Sequence, residues 1–394
     1  MNNANDSTQL NASIIGFFEG LLADSTPERP LWNIEHIKEN WSPRWNYIDG
    51  CMIKAVLDMY KATGKQAYFD FARDFIDYYV SDDGTILGYD VNEHNCDHIN
   101  EGKVLFDLYE ITGNEKYRKA IDTLMAQVRT QPRLQVGNFW HKKIYPNQIW
   151  LDGLYMVSPF YMAHEIKFNN AENYKDIFSH FENVVKLMKN PETGLFYHGY
   201  DETKTMFWAN PQTGMSKNHW TRSLGWFCMA LVDTIEQLDE QFFYERETLI
   251  GYLKDILDAL KKYQDPTTHM FYQVTHMGER TGNYLETSGS CAIAYAFMKG
   301  ARLGYLPDSY FEHGKQIFDA VTEHKLVVKD GTFVLKDICL IAGLGGMAGM
   351  GDYKERDGTF EYYISEPIVD NDAKGVAPFL FSYAETLHRK GGQA

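Results

Sequence analysis

The 394-residue chain is poor in cysteine and uses none of it in a recognisable pair. Cys51, Cys96, Cys228, Cys291 and Cys339 are odd in number and widely scattered, and no C-x-x-C occurs. This argues against a disulfide framework and for a reducing compartment. No apolar run approaches the ~20 residues a membrane span needs; the one mildly apolar stretch near the start, Ser13 to Ala23, contains Glu19. The opening Met-Asn-Asn-Ala-Asn-Asp is acidic where a secretory signal is basic, so a cytoplasmic chain is expected. Basic residues are outnumbered, 38 against 54, for a net charge of −16. That balance argues against nucleic acid and an anionic membrane as partners, although local Arg and Lys can still hold a single carboxylate. No Pro/Ser-rich linker or low-complexity tract interrupts the sequence, so residues 1–394 read as one domain. Its 44% hydrophobic and 15% aromatic residues suffice for a substantial core.

What is present is a repeat. Asp58-Met-Tyr-Lys-Ala-Thr-Gly-Lys-Gln-Ala-Tyr68 aligns with Asp107-Leu-Tyr-Glu-Ile-Thr-Gly-Asn-Glu-Lys-Tyr117, and each reads as a helix end, a Gly stop and a new helix. In the second helix Tyr68, Phe71, Ala72, Phe75, Ile76 and Tyr79 recur at three- and four-residue spacing, as one buried face requires. Looser copies start near Trp45, Asp97, Ile149, Trp220, Thr287 and Lys374. Six such hairpins predict an all-α closed toroid, an (α/α)6 barrel, with short strands or loops near 194–201 and 269–275 closing one rim. Parallel inner helices place all their N-termini on that rim, where free N–H groups favour an anionic ligand.

The unusual residues gather at these predicted starts. Asp152, in Gln148-Ile149-Trp150-Leu151-Asp152-Gly153, is a carboxylate among large apolar groups, surroundings that favour the proton-donating form of an acid. Asp97, in Cys96-Asp97-His98-Ile99-Asn100, holds the corresponding place one repeat earlier. Either could simply cap a helix; their parallel positions favour acid/base work on a sugar. His219-Trp220-Thr221-Arg222-Ser223-Leu224-Gly225-Trp226 sets an Arg between two indoles, suited to clamp a carboxylate while the rings stack on a sugar. The plainer alternative is a core Trp pair with a snorkelling Arg. Trp45 is a similar stacking candidate, and His198 is a hydrogen-bond donor to substrate hydroxyls or a structural histidine. His94, Cys96 and His98 lack further ligands at useful spacing, so no metal is expected. Gly343-Leu-Gly345-Gly346-Met-Ala348 matches a dinucleotide fingerprint only nominally, so Gly343 to Gly351 reads as a rim loop and no cofactor is expected.

These segments, with Tyr197-His198-Gly199-Tyr200-Asp201, Glu286-Thr287-Ser288-Gly289-Ser290 and Asn371 to Pro378, resemble the family 105 glycoside hydrolases, the unsaturated rhamnogalacturonyl hydrolases, and more distantly family 88. The resemblance runs from about Trp45 to the C-terminal region; one departure is Ser223-Leu224, where members commonly have Gly-Asn. It implies an (α/α)6 barrel, and hydration of a 4,5-unsaturated uronic acid at the non-reducing end of lyase-generated oligosaccharides. Asp152 would then be the proton donor and base, with Asp97 supporting it by like charge or by orienting water. Trp45, Trp220 and Trp226 would box the ring, and Arg222 with Lys142 would hold its carboxylate. Asn100, Gln148, Trp150, His198, His219 and Ser288 complete the expected substrate contacts. A glucuronyl-type hydrolase, an inverting glycosidase using Asp97 and Asp152, and a non-catalytic sugar-binding toroid are the competing readings.

Overall fold

A computed structural model describes residues 2–346 and 355–391. Its helices alternate between an outer and an inner ring along the chain. The first half runs α1 (Asn2–Ala23, outer), α2 (Tyr47–Thr63, inner), α3 (Gln66–Tyr79, outer), α4 (Lys103–Thr112, inner), α5 (Glu115–Thr130, outer) and α6 (Leu151–Phe168, inner). The second half runs α7 (Tyr174–Met188, outer), α8 (Thr221–Ile235, inner), α9 (Phe243–Leu260, outer), α10 (Thr287–Arg302, inner), α11 (Asp308–Lys325, outer) and α12 (Ala373–Gly391, inner). Each inner helix packs on the next, and α12 returns to α2, so the ring closes. The expected (α/α)6 barrel is what the chain forms, and the predicted inner starts fall within two residues of the observed ones, Asp97 opening the 3-10 turn Cys96–Gly102 that leads into α4.

Local chemistry sets the hairpins. Asn46 caps α2 by accepting from the Ile48 and Asp49 amides, and Gly64 at φ 69 ends it with its N–H on the Tyr60 carbonyl. Gly113, φ 66, repeats that stop after α4. The outer α3 buries Tyr68, Phe69, Ala72, Phe75, Ile76 and Tyr79 and exposes its other face. The inner α10 is buried along its whole length from Thr287 to Ala301, because neighbours surround it. Close approach of α8 and α10 depends on glycine: a Cβ on Gly289 would lie 2.6 Å from Thr221 Cγ2, and one on Gly225 2.7 Å from Ala292 Cβ. Adding either would force the helices apart.

Short antiparallel pairs trim the rim at the inner N-termini. Gln148–Trp150 pairs with Gly199–Asp201, and Ile338–Cys339 with Ile368–Val369. A further hairpin joins Leu326–Lys329 to Thr332–Leu335. Of the expected rim loop, Gly343 to Gly346 is irregular chain with Gly345 and Gly346 at positive φ, whereas 347–351 lie outside the described residues. No described helix is long and apolar enough to cross a membrane.

Candidate active site

A cavity of about 270 Å³ opens at this rim, lined from the starts of four inner segments and from the 341–342 and 356 region. Asp152 stands in the first turn of α6, yet it is not the cap: Trp150 holds that position and no side chain bonds the free amides. The capping alternative therefore fails, and the carboxylate faces the cavity with its side chain 13% exposed. His198 Nε2 lies 3.2 Å from Asp152 Oδ2, a contact too bent to be an aligned hydrogen bond. The other ring nitrogen, Nδ1, is 2.7 Å from the Tyr363 hydroxyl. With that hydroxyl donating to Nδ1, the imidazole proton sits on Nε2, toward Asp152.

Asp97 belongs to the 3-10 turn Cys96–Gly102, whose cap is Asn95. Its Oδ2 is 2.6 Å from Lys142 Nζ, and its Oδ1 is 3.6 Å from His141 Nε2. Burial pushes the Asp97 carboxyl upward, but Lys142 and then His141 outweigh it and hold the group below the ordinary range. Lys142 is correspondingly raised: burial disfavours its charge, and Asp97 more than restores it. Burial brings His141 and His98 down to about 4, so both are neutral. Lys142, expected to hold substrate, is thus engaged by Asp97 at the cavity wall.

Aromatic rings shape the rest. Trp150 is stacked by His141 at 4.5 Å and by Tyr145 at 4.9 Å, and its indole N–H donates to Gln148. Gly153 makes room, since a Cβ there would sit 3.0 Å from His141 Nδ1. Trp226 stacks on Tyr155, and Trp220 on Tyr363. Arg222, 2% exposed, has its guanidinium 4.7 Å from the Trp220 ring. It donates to the Cys339 and Leu340 carbonyls and to Ser288 Oγ, and forms no ion pair among the described residues. Glu286 fixes that cradle, accepting from Ser288 Oγ at 2.7 Å and from the Cys339 amide at 3.0 Å.

A profile of Glycosyl Hydrolase Family 88 matches residues 28–390. The chain belongs to family 88. The solved structure of a C. acetobutylicum glycoside hydrolase from family 105 is 43% identical, covers 94% of this chain and 99% of its own, and superposes with a TM-score of 0.84. The unsaturated rhamnogalacturonyl hydrolase YesR of Bacillus subtilis is 25% identical over 74% of this chain and 81% of its own. The unsaturated glucuronyl hydrolase of Bacillus sp. GL1, at 15% identity and a TM-score of 0.62, covers 96% of this chain and 97% of its own and shares the fold. For this family 88 chain the comparisons establish a glycoside hydrolase built on the six-hairpin toroid.

The cavity brings together Asp97, Lys142, Trp150, Asp152, Trp220, Arg222 and Trp226. Six expected contacts stand elsewhere. Trp45 is fully buried behind the wall, donating to the His98 carbonyl. Asn100 donates to the Tyr47 carbonyl and accepts from Lys103. Gln148 orients Trp150, His198 stands behind Asp152, and Ser288 supports Arg222. His219 is buried against Tyr197, with Nδ1 donating to the Phe196 carbonyl. Residues the sequence reading did not select also line the cavity, among them Trp41, Arg44, Asn46, His141 and Tyr145. His141 and Arg44 were within reach, being neighbours of Lys142 and Trp45; Tyr363 had no local signal at all.

Proposed function

We propose that the protein removes a 4,5-unsaturated uronic acid, of galacturonyl type, from the non-reducing end of lyase-generated oligosaccharides such as rhamnogalacturonan fragments. The observation that carries this reading is the pairing of Asp152 with an Arg222 guanidinium that forms no direct ion pair among the described residues, its nearest acid Glu286 being held behind Ser288, in one aromatic cavity. A buried cation held only by carbonyls and a hydroxyl is matched by a ligand carboxylate. The name of the YesR relative supports the rhamnogalacturonyl class.

In the proposed reaction Asp152 delivers its proton to C4 of the C4=C5 double bond, and positive charge develops at C5. Water adds there and returns a proton to Asp152. The resulting C5 hemiketal opens to a ketone, its ring oxygen becoming the hydroxyl of a C1 hemiacetal. That hemiacetal collapses to an aldehyde and releases the leaving sugar as an alcohol. One residue serves as acid and then base. On this reading Asp97, anionic beside Lys142, orients the water. An inverting glycosidase needs its second carboxylate to take a proton from water opposite the leaving group, and Lys142 holds the Asp97 carboxyl below the ordinary range, which makes it a poor base.

The test follows the ultraviolet absorbance of the unsaturated uronide in lyase-generated disaccharides. Wild type should abolish it, and Asp152→Asn should slow the loss at least ~10²-fold while still binding the sugar. Cleavage of saturated analogues at comparable rates would refute hydration chemistry.

A further inference from the structure

The charges lining the cavity do not balance locally. Two of the three acids lining it are ion-paired inside the protein, Glu35 with Lys374 at 2.7 Å and Asp97 with Lys142, while Asp152 has only its unaligned contact with His198. Two guanidiniums that line it, Arg222 and Arg44, form no ion pair among the described residues. The deep Arg222 is matched by the uronate carboxylate of the reading above. Arg44 is exposed at the cavity mouth and is left over.

Arg44 is not a loosely tethered surface residue. Its guanidinium stacks on Trp41, 3.7 Å from the ring centroid. Its carbonyl accepts from Asn46 Nδ2 at 2.9 Å. Its Cα and Cβ occupy the space that a side chain on Gly88, at φ +72, would fill, at 2.6 Å. The next residue, Trp45, is buried and bonded through its amide to the Leu87 carbonyl. The backbone is therefore fixed, and the stacked plane presents a fork of N–H donors to the opening. Neighbouring His98 is neutral and cannot duplicate the charge.

We propose that Arg44, stacked on Trp41, is a specificity-determining residue that binds an anionic group, a carboxylate or a sulfate ester, on the leaving saccharide. This rests on the unsaturated-uronyl hydrolase reading but departs from its rhamnogalacturonan example, whose leaving rhamnose is neutral: the preferred substrate carries two negative charges. The first is read by Arg222 and the second by Arg44. A preorganised guanidinium gains more from an oxyanion than a mobile one, because less side-chain freedom is lost.

The experiment compares wild type and Arg44→Gln on two substrate pairs. One is an unsaturated disaccharide with a uronic acid in the leaving position and its carboxyl-reduced form. The other is an unsaturated disaccharide with a sulfated amino sugar and its desulfated form. Arg44→Gln should lower kcat/KM on an acidic leaving sugar by roughly fivefold or more, and on the neutral forms by less than about twofold. The arm that moves identifies carboxylate or sulfate. Calorimetric binding of the same sugars, in Asp152→Asn with and without Arg44→Gln, reads the contact without turnover. Absence of turnover with binding still discriminated by Arg44 would fault the hydrolase reading and leave the anion site standing. Equal losses on acidic and neutral sugars, or no loss on either, in both turnover and binding, overturns the proposal.

Discussion

Arg222→Gln gives the sharpest test of how the uronate is held. Glutamine keeps a polar end near the Cys339 and Leu340 carbonyls but deletes the charge. The guanidinium is 2% exposed and lies beside an indole, so an ion pair formed there is largely dehydrated. Removing one member of such a pair costs about 2–5 kcal/mol, which is roughly 30-fold to a few thousand-fold in affinity. Because the carboxylate is present in both the bound substrate and the transition state, most of that loss should fall on KM. The assay is steady-state loss of unsaturated-uronide absorbance on an acid substrate and on its uronate methyl ester, with wild type and variant, as a double-mutant cycle. Esterification should cost wild type nearly as much as the mutation does, and should cost the variant little, giving a coupling energy of at least about 1.5 kcal/mol. Equal sensitivity of wild type and variant to esterification would refute contact between Arg222 and the carboxylate.

Glu101 is fully buried, with Oε2 accepting from the Asn46 amide and Oε1 without a hydrogen-bond partner among the described residues. Burial first, then the Asp49 charge, raises its carboxyl well above the ordinary 4.5. Such a group stabilises the fold fully at acid pH and loses that contribution as pH climbs toward its folded value. Glu101→Gln should therefore gain in Tm relative to wild type between pH 5 and pH 8, and a gap that narrows with pH would contradict this. Tyr363→Phe removes the 2.7 Å contact between the Tyr363 hydroxyl and His198 Nδ1. It should lower kcat about fivefold, leave KM within about twofold and alter the kcat–pH profile. A drop in Tm with an unchanged profile would reduce Tyr363 to a packing residue.

The toroid was legible because hairpin signals are local: an Asn cap, a Gly stop after Thr63 or Thr112, and an apolar stripe on each outer helix. The helix starts then pointed to Asp152 and Arg222, since polar groups in apolar surroundings at that rim need a reason to be there. Which large residue faces the cavity was not legible. Trp45 and Trp220 look alike in sequence, but Trp45 turns its indole N–H to the His98 carbonyl behind the wall, whereas Trp220 lines the site. Lys142 was selected for its charge, and only the bridge between Asn95 and Lys142 shows why Asp97 reaches it first. Tyr363 meets His198 across 165 positions of sequence, a distance no spacing rule spans.

An anion site in a chain of net charge −16 is a question of range. Surface charge is screened within about 8 Å at physiological ionic strength, whereas groups inside a low-dielectric cavity act on one another nearly unscreened. At this rim the inner helices contribute partial positive charge from their first turns, an effect confined to that turn and hence to the cavity. Glu35 and Asp97 are paired in place with Lys374 and Lys142, whereas the guanidiniums of Arg222 and Arg44 form no ion pair among the described residues and stay available to a ligand. Because the wall imidazoles His98 and His141 are neutral above about 4, that surplus does not vary across the neutral range. On the proposed reading, binding falls to arginines that do not titrate and proton transfer to Asp152.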